Sequence, residues 1–125
     1  MSREKAIDRV VFEDEYCGIN YWIKEYGYYT EDGKYDMRWF CAYVSVPKKF
    51  RKKYDTRDLD VHGGITYNIG EIWGWDYNHC DDVDFDNGLK NKFQSKPIEE
   101  VVDIIASECQ EFIRRYFVWN RLQRY

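Results

Sequence analysis

The chain has 125 residues, 44% of them hydrophobic and 34% charged, which suits a single globular domain (1–125) able to bury a core without metal or disulfide staples. A net charge of -4 argues against a general nucleic-acid binder, which is normally basic, and no apolar run is long enough to span a bilayer. The outlier is the aromatic content of 19%, with 5 Trp, 12 Tyr and 7 Phe, which suits either a core or a surface that stacks on a flat ligand or a partner.

The polar stretch from Met1 to Asp8 lacks the apolar run of a signal peptide, so the expected location is the cytosol of the cell that makes the protein. Asp8 to Glu13 is β-branched and aromatic and predicts a first strand. Cys17 to Tyr29 predicts a second, with Ile19, Tyr21 and Ile23 on one face and Asn20, Trp22 and Lys24 on the other. Asp32-Gly33 marks a hairpin turn. Met37 to Val46 predicts a third strand, ended by Pro47, which cannot donate to a ladder.

Lys48 to Asp60 reads as a polar connection. Its basic residues Lys48, Lys49, Arg51, Lys52, Lys53 and Arg57 could grip phosphates, but a solvated loop is the preferred reading, and Asp55, Asp58 and Asp60 dilute the charge. Val61 to Ile69 and Glu71 to Tyr77 predict two more strands, divided near Gly70. Asn78 to Asn91 is acidic and loop-like. Ser95 offers a helix N-cap and Pro97 suits a first turn. From Ile98 the period becomes helical, with Val101, Val102, Ile105, Cys109, Phe112, Ile113 and Tyr116 on one apolar stripe. The expected fold class is therefore α+β, an antiparallel sheet of about five strands with a C-terminal amphipathic helix packed on one face. The cysteines Cys17, Cys41, Cys80 and Cys109 form no CxxC pair and are expected to be free thiols.

Chemistry-bearing residues concentrate between Asp60 and Asp86, where both histidines lie. His62, Asp76 and His79 could supply a two-histidine, one-carboxylate metal set, or a general base. The alternative is structural, a His hydrogen-bonded to an Asp that holds one loop against another, and the spacing matches no short zinc pattern. A bound metal is thus a possibility, and otherwise no cofactor is expected. Cys80 beside His79 makes a poor dyad, since strand neighbours point to opposite faces. No GxSxG elbow, Walker A loop or GxGxxG occurs. The cluster Tyr67, Trp73, Trp75 and Tyr77, beside Thr66 and Asn68, could sandwich a base or could be sheet packing under the helix. The candidate binding set is His62, Thr66, Tyr67, Trp73, Trp75, Asp76 and His79 with Lys48, Lys49 and Arg51. Trp39, Trp73, Trp75 and Trp119 are candidate interface anchors.

Three segments, Ala42 to Pro47, Val61-His62-Gly63-Gly64-Ile65-Thr66-Tyr67 and Trp73-Gly74-Trp75-Asp76-Tyr77-Asn78-His79-Cys80-Asp81-Asp82, together with the helix carrying Glu108-Cys109, resemble a family of small, mostly uncharacterised phage and prophage proteins with HGG(I/L)TY and GWDxxHxxD-like motifs. The chain departs from that pattern after Pro47, where Lys48, Lys49 and Phe50 stand in place of an expected Gly-His-Pro, and its tail beyond Phe112 is extended. The resemblance implies a phage-type accessory gene and carries no mechanism. The expected function is non-enzymatic inhibition of a host antiviral defence, with a host defence protein or its nucleotide signal as partner and a homo-oligomer possible. The alternative is a metal-dependent hydrolase centred on His62, Asp76 and His79.

Overall fold

The computed structural model describes residues 5–29, 32, 35–78, 83–84, 90–93 and 96–118. Its architecture is the expected α+β one. Strands β1 (Lys5–Tyr16), β2 (Ile19–Tyr29), β3 (Tyr35–Ser45), β4 (Tyr67–Ile69) and β5 (Ile72–Asp76) form an antiparallel sheet in the order β1-β2-β3-β5-β4. Helix α2 (Ile98–Ile113) follows and continues as a π-helical segment, Arg114–Val118.

Local chemistry explains the connections. Cys17 and Gly18 both adopt positive φ, 51° and 79°, so they are the two-residue turn between β1 and β2 rather than the start of β2. Asp32 lies in the β2–β3 turn, and Gly33 lies outside the described residues. The connection after Pro47 is not the open loop expected. It coils into a short helix, α1 (Lys48–Lys53), and a 3-10 turn, Thr56–Asp58, because Phe50 and Leu59 bury their side chains in the core. The strand expected from Val61 is likewise confined to Tyr67–Ile69. Gly63 and Gly64 hold φ of 68° and 79°, and the Gly64 amide donates to the Val61 carbonyl at 2.9 Å, a turn that breaks the extended run. Within the acidic stretch, β6 (Val83–Asp84) and β7 (Lys90–Asn91) pair as a small separate ladder. Pro97, expected in the first turn of α2, stands just before it. Pro97 occupies the N-cap position, and its carbonyl accepts from Glu100 and Val101; Ser95 lies outside the described residues.

Alternation along the strands sorts the sheet into two faces. The inner face carries Tyr21, Ile23, Phe40, Ala42, Val44, Trp73 and Trp75, all buried. The α2 stripe Val101, Ile105, Cys109, Phe112 and Ile113 closes on it. Toward the start of α2 the same face turns polar. Glu25, 0% exposed, accepts from Arg9 Nε at 2.9 Å and from Arg38 Nε at 2.7 Å, and Arg38 also reaches the Lys96 carbonyl at 3.3 Å.

Candidate binding face

The register aligns the aromatic side chains of the outer face across strands. Trp22 sits opposite Tyr43 and Tyr26 opposite Trp39, and each pair stacks with planes 20° apart at 5.8 and 5.9 Å between ring centroids. Tyr43 in turn lies opposite Gly74, and Gly74 opposite Tyr67. A Cβ at Gly74 would lie 2.6 Å from Tyr43 Cδ1, so only glycine lets the Tyr43 ring lean across β5. Tyr67 meets that ring edge-on at 5.4 Å and 89°. The row Trp22, Tyr43, Gly74, Tyr67 therefore crosses β2, β3, β5 and β4 without interruption. Tyr28 leans on Trp39 at 6.4 Å, extending the second row. Around them Tyr28, Met37, Tyr67 and Ile69 are 39%, 41%, 37% and 65% exposed.

A shallow cleft of about 160 Å³ opens among Trp22, Lys24, Tyr26, Tyr43, Tyr67 and Ile72. The Tyr26 and Tyr43 hydroxyls share a hydrogen bond of 3.0 Å in its wall. Lys24 Nζ lies 5.0 Å from the Tyr26 ring centroid and pairs with Asp8 Oδ1 at 2.5 Å. The hydrogen bond to Asp8 is the first reason the ammonium titrates above its ordinary value. Burial pushes the Tyr43 phenol up, and the bond with Tyr26 adds to it, so both hydroxyl and ammonium keep their protons at neutral pH. On the same face burial, with Asp76 adding, pushes the Cys41 thiol up to about 12, which makes it an inert thiol.

The residues expected from sequence to form one site are divided between the two faces. His62 packs on the helix side, its ring stacked on Tyr77 at 4.5 Å and 16°. Its backbone N–H donates to Glu108 Oε1 at 2.9 Å. Tyr77 donates to Glu108 Oε2 at 2.6 Å and accepts from Trp75 Nε1 at 3.0 Å. Glu108 thus ties the HGG turn and the end of β5 to α2, beside a 260 Å³ cleft that Asp60, Glu111 and Arg115 also line. Burial raises the Tyr77 phenol far above its usual range, with Glu108 adding to it. Asp76 points the other way, because it pairs with Cys41 on the outer face. It accepts from Thr66 Oγ1 at 3.0 Å and from the Asn78 amide at 3.1 Å. Alternation along β5 therefore sets Tyr77, on which the His62 ring stacks, and Asp76 on opposite faces of the sheet. His79, Cys80, Asp81, Asp82 and Trp119 lie outside the described residues.

Trp73 and Trp75 are corrected from binding surface to core. They are 2% and 1% exposed and pack on Phe117 and Phe112 of the C-terminal segment. Tyr67 is placed on the open face, while Asn68, opposite Trp73, turns away from it. Lys48 and Lys49 are exposed on α1, whereas Arg51 is half-buried and its Nε donates to the Val46 carbonyl at 3.1 Å. Among the described residues, no three His, Cys, Asp or Glu side chains cluster as a metal site. No helix of the described residues is long and apolar enough to cross a membrane. Comparison with protein-family models, with curated proteins and with solved structures returned no match.

Sequence reasoning passed over Trp22, Lys24, Tyr26 and Tyr43 as site residues. The signal was present in the alternate positions Trp22, Lys24, Tyr26 and Tyr28 of one strand and Met37, Trp39, Cys41 and Tyr43 of the next. Reading them as a surface requires knowing that α2 covers only the other side.

Proposed function

We propose that this protein acts by binding rather than turnover, as a phage-type inhibitor of a host antiviral system working in the host cytoplasm, with the outer sheet face as its contact surface. The observation that carries the reading is the aromatic row that no described helix covers, from half-buried Trp22 and Tyr43 to exposed Tyr67, with exposed Tyr28, Met37 and Ile69 on the same face. Tyr and Trp anchor interfaces because they offer large, stiff, amphipathic area, and a contiguous apolar patch of this kind marks an interaction site. The antiviral setting comes from the motif resemblance, and the target is a host defence protein or its nucleotide signal. Lys48 and Lys49 would steer an acidic partner or a phosphate-bearing one toward the molecule.

The test is a phage plated on hosts carrying different defence systems, with the wild-type gene and with Trp22→Ala/Tyr67→Ala. The expected outcome is protection lost for one system only in the presence of the wild-type gene. If no system is affected, and the purified protein turns over a phosphoester many times with a requirement for His62, the metal-dependent hydrolase takes the place of the binding reading.

A further inference from the structure

The outer-face cleft has a shape and a charge that narrow what it can hold. It is smaller than the roughly 300–1,000 Å³ of a drug-sized ligand site, and at about 160 Å³ it admits one ring system, with substituents left in solvent. Its walls are aromatic and meet at a corner. Trp22 and Tyr43 are nearly parallel, and Tyr67 stands at 89° to Tyr43. A flat ring lying against one wall meets the other edge-on, and both arrangements are favourable for π-systems. Base-on-aromatic stacking of this kind tolerates any nucleobase.

The polar rim is an ion pair. Lys24 lines the cleft and is held by Asp8, which is 62% exposed on edge strand β1. Asp8 is the exposed member of the pair and Lys24 the half-buried one, so an incoming phosphate can take the place of Asp8 on the ammonium and form a charge-assisted bond to it. The Tyr26 and Tyr43 hydroxyls, hydrogen-bonded to each other at 3.0 Å, stand beside it. We infer that this cleft is a nucleotide site, taking a planar nitrogen heterocycle against Tyr43 and Tyr67 and the attached phosphate on Lys24. The inference rests on the reading of the outer face as the contact surface, and selects within it the nucleotide over the protein target.

The experiment titrates the full chain with adenosine monophosphate, adenosine and ribose 5-phosphate, following tryptophan fluorescence and amide chemical shifts. Adenosine monophosphate should bind with shifts confined to the cleft. Adenosine should bind about tenfold more weakly and ribose 5-phosphate not measurably. Lys24→Met should bring the mononucleotide down to the affinity of adenosine, and Tyr67→Ala should weaken both. Asp8→Asn should tighten the mononucleotide and leave adenosine unchanged, a change that a structural role for the pair would not produce. The inference is overturned if millimolar adenosine monophosphate leaves the cleft resonances unmoved, or if all three ligands respond alike. It is also overturned if the face instead mediates concentration-dependent self-association that Tyr67→Ala abolishes. Ligand failure with Trp22→Ala/Tyr67→Ala still inactive in the phage assay removes the nucleotide and keeps the binding reading; a double variant that abolishes host protection as fully as the wild-type gene removes the binding reading itself.

Discussion

The two faces of the sheet are built from similar residues and do different things. The inner face sets Tyr21, Phe40, Trp73 and Trp75 under α2, where they are buried. The outer face sets Trp22, Tyr26, Trp39, Tyr43 and Tyr67 in two rows that no helix among the described residues covers. Antiparallel sheets usually bury one face and wet the other with polar side chains. Here the wet face is aromatic as well. Aromatic content alone therefore says nothing about burial, because which face is core is decided by where the helix lands.

The largest contrast should come from paired tryptophan truncations. Trp75→Ala removes a buried ring on Phe112 and a donor to Tyr77. It should cost about 3–5 kcal/mol. Trp22→Ala removes a half-buried ring and one stacking partner, and should cost about 1 kcal/mol. Urea denaturation measures both, and equal losses would erase the distinction between the faces.

Glu25→Gln tests the polar end of the inner face. The carboxylate is fully buried between Arg9 and Arg38. Removing its charge leaves the nearly buried Arg38 guanidinium undercompensated, at a cost of about 3 kcal/mol. A melting curve indistinguishable from wild type would mean that the triad is solvated in solution.

Gly74→Ala acts at the boundary between stability and site. The new Cβ would crowd Tyr43 Cδ1 at 2.6 Å and the Ala42 carbonyl at 2.9 Å. Overpacking should cost about 1–3 kcal/mol. It should also swing Tyr43 away from Tyr67, so ring-current shifts of these two tyrosines should change more than any on the inner face.

The smallest effect is titrimetric. The folded protein holds the Cys41 proton more tightly than the unfolded chain, so the stability linked to it is complete below the ordinary thiol value of 9.0. That stability is lost as pH rises toward about 12. In a Cys80→Ser background, a thiol reagent at mildly alkaline pH should label exposed Cys17 at once and buried Cys41 and Cys109 only after denaturant. Rapid reaction of a second thiol in the native state would show that one of the faces opens.

Much of the fold was legible in the sequence because it depends on local periodicity. The alternation at Ile19, Tyr21 and Ile23 and at Trp22 and Lys24 set the two faces of β2. The three- and four-residue recurrence from Ile98 to Tyr116 set the helix and its apolar stripe. The double glycine after His62 makes a tight turn that the strand reading ran through. Local reading was bound to miss contacts between residues far apart in the chain. Phe50 and Leu59 shape the connection after Pro47 only because a core exists to receive them, and Glu108 reaches the His62 turn across 46 positions of the chain and Tyr77 across 31. The candidate site belongs to that second kind. Trp22, Tyr43, Gly74 and Tyr67 become one surface through the strand register, and Trp73 and Trp75 become core through the docking of α2. Which face a helix covers is settled by long-range apolar burial, and no local pattern encodes it.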